Sequence, residues 1–463
     1  MMTKKITYKL YNGDELHMVS QNGTVKEVKV VKNIRKFLFI SYDALISDLA
    51  WQMVKEGQEV KYFIQNKEEA DIGDGFVPKV DDWESHVEWA DVIIFDDVLG
   101  QGTIAQTLRE QGKKVVGGTP YTDMLEDDRS FGQEELKRHG VPILPYKEFK
   151  SLADAIVYVK EHPAKYVIKP SGEAQNMKGL LFVGEEDDGA DVIRVLDSYL
   201  KTRAEDIPIL QLQKRITGVE VAVGAFFNGN EFVYPININF EHKKLFPGAL
   251  GPSTGEMGTS MFWSEPNRLY NLTLKKMEDT FRKEKFVGYM DLNCIVNGNG
   301  IYPLEFTARF GYPTISIQQE GIQMPISDFM YNLANGINIH FKTKNGFQIG
   351  VRIVVPPYPF RDEKIFQSHS KDSTIVFPKK MEDAGGVHIE DVKIVNGEWV
   401  LTGSAGVALI VIGMGQTMRE AQKQVYHRIK NILIPYMYYR TDIGDRWVED
   451  SDRLHNWGYL REV

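Results

Sequence analysis

Cysteine is almost absent from this chain: Cys294 is the single one among 463 residues. One cysteine cannot form an internal disulfide, which excludes the disulfide-stapled scaffolds typical of small secreted proteins. The first residues, MMTKKITYKLY, are polar and lack the apolar segment of a secretory signal. These two features predict a reducing, cytoplasmic location.

Long hydrophobic runs and basic tracts are missing as well. The longest aliphatic stretch, GVALIVIGM at 406–414, is far shorter than the roughly 20 residues that cross a bilayer and is typical of a buried strand. A formal net charge of −9 with no long Lys/Arg tract disfavours sequence-independent binding to nucleic acid. We therefore expect small-molecule substrates, no membrane and no nucleic acid.

The composition is that of a globular protein, 43% hydrophobic and 26% charged, with length for about three domains at roughly 150 residues each. From residue 37, short apolar strands such as FLFIS and DVIIFDD alternate with helical segments that end in glycine, the pattern of a parallel α/β sheet. Near the C-terminus, Thr417 and Glu420 have capping-box spacing. The apolar stripe of that helix consists of Ala421, Val425, Ile429 and Ile432.

These patterns predict a multidomain chain of the α/β and α+β classes. Its predicted parts are a β-rich extension (1–33), an N-terminal α/β domain (34–120), linker helices with a small lid (121–225), a mixed core (226–345), a C-terminal mixed β/α domain (346–446) and a tail (447–463).

The stretch PLEFTARF at 303–310 alternates polar and apolar residues, with Glu305, Thr307 and Arg309 on one predicted face of a strand. The preceding GYMDLNCIV places Asp291 and Asn293 on one face in the same way. If VNGNGI turns these strands into a hairpin through a three-residue loop or a bulge, Asp291 stands opposite Glu305. Two facing carboxylates suit a magnesium ion that bridges to phosphate oxygens. The alternative is a polar outer sheet face on which Arg309 neutralises Glu305.

Lys169 ends the predicted strand YVIKP and is followed by SGEAQNMKG, which contains Lys178. A strand-end lysine before a glycine-containing loop can bring ammonium groups and backbone N–H groups onto a polyphosphate. The segment matches neither the P-loop nor the dinucleotide-binding pattern, and an ordinary solvated lysine is the alternative.

The segment NFEHKKLFPGALGPSTGEMG at 239–258 places a short charged run before a long loop rich in glycine and proline. Loops of this length in compact domains are often binding elements, and the basic residues His242, Lys243 and Lys244 could receive an anionic group. The alternative is an exposed charge run followed by ordinary turns.

In this order and spacing, the three segments resemble the ATP-grasp ligases, and among them the phosphoribosylamine–glycine ligases. The resemblance extends from about residue 37 to 446 and includes PLEFTARFGYPT, HKKLFPGALGPSTGEMG, YVIKPSGEAQNMKGL and the C-terminal YRTDIGDRW. It implies an N-terminal pre-ATP-grasp α/β domain, an ATP-grasp fold with a mobile lid, and a small C-terminal domain. It also implies that ATP phosphorylates a carboxylate and that an amine attacks the acyl phosphate, giving an amide, ADP and phosphate.

The cofactors implied by the resemblance are ATP and Mg²⁺ or Mn²⁺, and the expected assembly is a monomer or homodimer. The implied catalytic residues are Arg309 and Lys169. The implied ATP-binding residues are Arg129, Lys169, Lys178, Gly179, Gln213 and Glu220. The implied metal site consists of Asp291, Glu305 and Thr307. The implied substrate-binding residues are His242, Lys243, Lys244, Gly251, Pro252, Ser253, Thr254 and Gly311.

Several positions depart from the family pattern. SYDALISD at 41–48 replaces the glycine- and arginine-bearing loop that receives the phosphoribosyl phosphate, and Thr307 replaces a metal-ligating asparagine. Gln133 replaces a lysine, and Glu256 replaces one of two paired glycines in the substrate loop. The first hypothesis is glycinamide ribonucleotide synthesis in purine biosynthesis. Because the changes concentrate at the amine-substrate end, the second is ligation of a different amine or acid. Thr307 and Gln133 motivate the third, nucleotide binding without catalysis.

Overall fold

The computed structural model describes residues 3–9, 15–21, 24–31, 33–96, 100–170, 180–377 and 385–462. The predicted ATP-binding residues Lys178 and Gly179 lie outside these ranges. Within them, no helix combines the length and apolar character needed to cross a membrane.

The N-terminal extension forms a three-stranded antiparallel sheet. Its strands, in spatial order, are β1 (Thr3–Lys9), β2 (Glu15–Gln21) and β3 (Thr24–Val31).

The next segment is a parallel α/β unit, as predicted. It contains β4 (Lys36–Ser41), α1 (Ser47–Lys55), β5 (Glu59–Ile64), β6 (Val92–Phe95), α2 (Gly102–Glu110) and β7 (Val115–Val116). The sheet order is β5-β4-β6-β7, with every pair parallel. Both faces of β4 are buried, which explains its continuous apolar run. Ligands of such sheets bind outside the carboxyl ends of the strands, where residues 41–48 begin.

Two helices lead from this sheet toward the site: α3 (Pro120–Asp127) and α4 (Arg129–Arg138). Thr119 and Thr122 form a reciprocal cap at the start of α3, and the Asp128 side chain accepts from the Phe131 N–H at 3.0 Å to cap α4. Gly140, just beyond the end of α4, adopts a left-handed φ of 69°, as is common for a glycine that ends a helix.

A four-stranded antiparallel sheet follows, in the order β10-β9-β11-β8. Its elements are β8 (Tyr146–Phe149), α5 (Leu152–Glu161), β9 (Tyr166–Pro170), β10 (Phe182–Val183), α6 (Ala190–Thr202) and β11 (Leu210–Lys214). Ile168 and Leu212 pack with α5 and α6 in one apolar cluster. Since strand side chains alternate, Lys169, Gln211 and Gln213 lie on the opposite face.

The largest element is an eight-stranded sheet in the order β18-β17-β12-β13-β16-β19-β23-β20, in which every pair is antiparallel. Its last two strands, β23 (Val407–Gly415) and β20 (Val387–Ile389), come from the C-terminal segment. The strands from 219 to 354 are β12 (Val219–Asn228), β13 (Phe232–Glu241), β14 (Lys244–Phe246), β15 (Leu250–Ser253), β16 (Gly258–Ser264), β17 (Val287–Asn297), β18 (Gly300–Thr307) and β19 (Phe347–Val354). Helices α7 (Arg268–Leu272), α8 (Glu278–Lys283), α9 (Thr314–Gly321) and α10 (Ile326–Ala334) lie between them in sequence.

The C-terminal segment extends this same sheet through β19, β23 and β20, so the predicted boundary at 345/346 falls within one sheet. Its elements are α11 (Glu363–His369), β20 (Val387–Ile389), β21 (Val392–Val395), β22 (Glu398–Leu401), β23 (Val407–Gly415), α12 (Met418–Ile429) and α13 (Trp447–Asn456). The run at 406–414 is the predicted buried strand, β23. Thr417 and Glu420 form the predicted capping box of α12, and its apolar stripe is buried.

Candidate active site

The floor of the site is the polar face of the β17–β18 hairpin, where the register differs from the sequence prediction. Asn293, rather than Asp291, lies opposite Glu305, and Asp291 lies opposite Thr307. The expected bulge is present between Asn293 and Cys294, whereas the expected three-residue loop is a two-residue turn. The predicted loop and the observed bulge with its turn both place the polar residues on one face. The observed pairing is shifted by two residues relative to the predicted one.

Asp291 is held in place by hydrogen bonds from Tyr289 on its own strand and from Asn239 on β13. Its Oδ2 accepts from the Tyr289 hydroxyl at 2.8 Å and from Asn239 Nδ2 at 2.7 Å. Gly224 on β12 makes this arrangement possible, because a Cβ there would lie 1.9 Å from the Tyr289 hydroxyl oxygen. Burial, followed by the charge of Glu241, raises the pKa of Asp291 to about 7.

Glu305 projects into the cavity and pairs with Lys243, whose Nζ lies 2.8 Å from Glu305 Oε1. The same ammonium is 3.3 Å from Glu241 and 3.7 Å from Glu220. Lys243 lowers the pKa of Glu305 to about 2. Although burial lowers the pKa of Lys243, the surrounding carboxylates raise it well above its ordinary value. Glu305 is therefore an anion and Lys243 a cation at neutral pH.

Asn293 was missed as a candidate ligand by the sequence analysis, although its alternation with Asp291 was visible. Its Nδ2 donates to Glu220 Oε1 at 3.0 Å, and its buried Oδ1 has no hydrogen-bond partner among the described residues. An unpartnered buried oxygen opposite the Glu305 carboxylate fits a hard cation.

No group of three His, Cys, Asp or Glu side chains in the described part of the chain is arranged to hold a metal. Magnesium usually takes one or two carboxylates and completes its shell with phosphate oxygens and water. Glu305 with the Asn293 amide oxygen fits an ion of that kind, which would be shared with a nucleotide.

Lys169 of the lid strand β9 and Arg129 of helix α4 add positive charge near Glu305. Arg129 Nη2 lies 3.9 Å from Glu305 Oε2, and Arg129 Nη1 donates to the Pro170 carbonyl at 3.4 Å. Burial, followed by the positive charge of Arg129, lowers the pKa of Lys169 to about 7. A bound polyphosphate would reverse that effect, since an anion favours the protonated amine.

Gln211 lies opposite Lys169 on β11 and is fully buried. Neither its side-chain oxygen nor its nitrogen has a hydrogen-bond partner among the described residues. The predicted adenine-side residue Gln213 lies on the same face, also buried. Sequence analysis missed Gln211 because the alternation within LQLQK does not show which face meets the site.

At the other end of the site, Arg309 is held by Glu126 of α3. Arg309 Nη2 lies 2.9 Å from Glu126 Oε1, and Arg309 Nη1 donates to the Phe310 carbonyl at 3.0 Å. Glu126 Oε2 accepts from the Ala308 N–H at 2.8 Å. Although burial lowers the pKa of Arg309, Glu126 raises it above its ordinary value. The sequence contained no signal for this pair, since α3 is remote from β18 along the chain.

Residues 127–315 match the family model described as the phosphoribosylglycinamide synthetase ATP-grasp (A) domain. The chain is an ATP-grasp ligase. A relative from Streptococcus pneumoniae named phosphoribosylamine–glycine ligase is 26% identical over 368 residues, covering 76% of this chain and 83% of the relative.

Solved structures show the same fold. A phosphoribosylamine–glycine ligase from Thermotoga maritima gives a TM-score of 0.65 at 19% identity, covering 88% of this chain and 100% of the other. An L-amino acid ligase from Bacillus licheniformis gives 0.55 at 14% identity, with the same two coverages of 88% and 100%.

The cavity of the ligase has a volume of about 540 Å³ and lies between the lid strand β9, the β17–β18 hairpin, helices α3 and α4, and the 253–256 loop. Its lining includes Ser253, Thr254 and Gly311 from the predicted substrate set. The lining carboxylates are Glu126, Asp127, Glu241, Glu256, Asp291 and Glu305, and the lining cations are Arg129, Lys243, Arg309 and Arg352.

Other predicted substrate residues of the ligase do not line this cavity. His242 is buried, and burial, then Arg446 and Arg440, lowers its pKa to about 3, so it is a neutral imidazole. Gly251 lies on the exposed hairpin β14–β15, as does Pro252, with Lys244 paired to Ser253. Gln133, which is not one of the predicted substrate residues, does line the cavity and donates to the Leu304 carbonyl at 3.2 Å, a contact that supports β18.

Proposed function

We propose that this ATP-grasp ligase phosphorylates a carboxylate with ATP and transfers the acyl group of the resulting acyl phosphate to an amine, releasing ADP and phosphate. The observation that carries the proposal is that the positive charges of three residues, Lys243, Arg129 and Lys169, all act on the carboxylate of Glu305. Three cations around one acid suit a triphosphate and its metal, whereas a structural ion pair needs only one cation.

In this proposal, Lys169 and Arg129 bind the nucleotide phosphates. Gln213 contacts the adenine from the polar face of the lid sheet. Glu220, at the start of β12, contacts the ribose. Lys178 and Gly179, outside the described residues, remain predicted phosphate contacts. Purine biosynthesis, a cytoplasmic location and a monomeric or dimeric state likewise remain predictions.

Glu305 would hold Mg²⁺ or Mn²⁺ together with the Asn293 oxygen, and Asp291 and Thr307 remain predicted donors two residue pairs further along the hairpin. When bound, the metal supplies charge neutralisation on the phosphate oxygens. Glu305 needs no proton loss for this role, because its pKa is already about 2.

Arg309 would bind the oxygens of the transferring phosphoryl group, for which a planar guanidinium is suited. Glu126 orients the guanidinium before the phosphate arrives. No covalent protein nucleophile is required, because positioning and charge neutralisation lower the barrier to phosphoryl transfer.

The names of the relatives make glycine and phosphoribosylamine the first candidate substrates. The segment 41–48 supports a second candidate, a different amine or amino acid. It contains Asp43 and Asp48 but no lysine or arginine. Asp48 is committed to His388 at 2.7 Å, and Asp43 accepts from Asn66 at 2.8 Å. A phosphate would meet carboxylates there rather than donors.

The test is ADP release with ATP, Mg²⁺ and either glycine plus phosphoribosylamine or a panel of amino acids and amines. We expect substrate-dependent ADP release that Glu305→Gln abolishes. Release only with glycine plus phosphoribosylamine would eliminate the second candidate. If no combination released ADP, or Glu305→Gln left turnover unchanged, ligation at this site would be wrong.

A further inference from the structure

Glu256 is a carboxylate at the amine-substrate end of the cavity that no step above uses. It lines the cavity with only 6% of its surface exposed, and its Oε1 has no hydrogen-bond partner among the described residues. The resembled family has a glycine at this position, so the carboxylate is an addition of this chain. A buried unpartnered carboxylate oxygen is costly unless a ligand satisfies it.

The loop around Glu256 is held firmly on both sides. The Glu256 carbonyl accepts from Arg352 Nη1 at 2.9 Å. The Met257 N–H donates to the His242 carbonyl at 2.8 Å, and the Thr254 N–H donates to the Lys243 carbonyl at 2.7 Å. The backbone therefore fixes the Glu256 side chain within the cavity wall.

The neighbouring cations are already neutralised by other acids. Arg352 makes a two-point ion pair with Glu390, at 2.6 and 2.9 Å. Lys243 is shared among Glu305, Glu241 and Glu220. Glu256 is therefore an acidic side chain for which no described residue supplies a dedicated cationic partner.

Two more acidic side chains act on Glu256 electrostatically. Asp291 and Glu241 line the same cavity, and both raise the pKa of Glu256, after the larger effect of burial. Carboxylates that repel one another in a buried site are stabilised by a cation between them. The metal proposed above would instead be held by Glu305 and Asn293, which lie opposite each other on β18 and β17.

We infer that Glu256 binds a protonated amino group of the amine substrate, and that this substrate is an unphosphorylated diamine or basic amino acid. One amino group attacks the acyl phosphate as the free base: the amide C–N bond forms, the C–O bond to phosphate breaks, and the amine proton leaves with the released phosphate or to water. The other amino group stays charged on Glu256. This inference rests on the proposed ligation. It specifies the chemical class of the second candidate substrate, the different amine or amino acid. The carboxylates at 41–48, next to the cavity-lining Leu45, agree with it, because they disfavour a phosphate on this side.

The direct test measures binding of 1,4-diaminobutane and of ribose 5-phosphate by calorimetry, with the non-hydrolysable ATP analogue and Mg²⁺ present. We expect the diamine to bind and the sugar phosphate not to bind. Glu256→Gln should weaken diamine binding about tenfold or more, since a charge-assisted hydrogen bond is lost. Binding of the ATP analogue should be unchanged, which shows that the variant is folded. Glu398→Gln, at an exposed position on β22, is the matched control and should bind the diamine normally.

Equal diamine affinity in the wild type and Glu256→Gln would overturn the inference. Glutamine has the shape of an uncharged glutamic acid, so equal affinity would mean that the Glu256 charge does not contribute to binding. Tighter binding of ribose 5-phosphate than of the diamine would also overturn it. Glu256→Gly, which restores the family residue, should lose diamine binding as well. A separate assay of ADP release distinguishes the two proposals: diamine binding without ADP release with any amine contradicts ligation but supports the cation site.

Discussion

The Glu126 carboxylate lies 2.9 Å from the Arg309 guanidinium and joins helix α3 to the segment that follows strand β18. Arg309 therefore has a fixed orientation without any ligand. Both side chains line the cavity, so a phosphoryl group that reaches Arg309 meets a guanidinium already held in place.

Glu126→Gln should lower kcat about tenfold while leaving the KM for ATP nearly unchanged, because a misoriented guanidinium weakens the transition state more than nucleotide binding. Steady-state ADP release measures both constants. Glu134→Gln, on the exposed face of α4, is the control and should change neither. A normal kcat in Glu126→Gln would show that Arg309 needs no orienting partner.

The hairpin register predicts which side chains control metal use. Asn293→Ala should raise the Mg²⁺ concentration needed for half-maximal activity about tenfold or more, because a ligand opposite Glu305 is removed. Asp291→Asn should have a smaller effect, since Asp291 is committed to Tyr289 and Asn239. Magnesium titrations of ADP release decide the order. The reverse order would favour Asp291 as the ligand.

Thr307→Asn tests the position at which the family has an asparagine. If Thr307 is a weak metal donor, the variant should bind Mg²⁺ more tightly than the wild type, because an amide oxygen is a better ligand than a hydroxyl. Magnesium titration is again the measurement. Unchanged affinity would place position 307 outside the metal shell.

Stability should fall at alkaline pH because of His388, which connects three parts of the chain. His388 Nδ1 lies 2.7 Å from Asp48 of α1, and Nε2 lies 3.3 Å from Glu320 of α9, which also faces Lys344 at 3.8 Å. Although burial opposes it, the carboxylate of Asp48 raises the pKa of His388 from 6.5 to about 9. Because the pKa of His388 is higher in the folded state, protonated His388 contributes stability that is fully present below pH 6.5. This stability is lost as the pH rises through about 9.

Thermal unfolding between pH 6 and 10 measures this effect. The wild type should lose stability from pH 6.5 to 9, and His388→Gln should lose less over the same interval. Parallel curves for the two proteins would mean that His388 does not carry a proton linked to folding.

The cap of α12 should contribute a measurable part of the folding free energy. Thr417→Ala removes the acceptor for the Glu420 N–H and should cost about 1 kcal/mol in urea unfolding. Thr417→Ser keeps the acceptor and should cost less. Similar losses in the two variants would show that the threonine methyl group, rather than the cap, matters.

Much of the fold was predictable because its signals are local. Alternation marked the polar faces of β17 and β18, glycine stops and caps marked helices such as α4 and α12, and the ordered motifs indicated the ATP-grasp fold. The predicted hairpin register was wrong. A bulge with a two-residue turn places the polar side chains on one face just as the predicted three-residue loop would, so alternation alone did not distinguish them.

The sequence by itself determined the class of chemistry: a strand-end lysine, an alternating acid and arginine, and a glycine-rich loop, in the order of an ATP-grasp ligase. Only the tertiary structure decided the partners of those groups. It placed Asn293 opposite Glu305, Glu126 on Arg309, and the Glu256 carboxylate in the cavity wall. The physical reason is that side-chain alternation depends on adjacent residues, whereas register, ion pairing and burial depend on segments far apart in sequence.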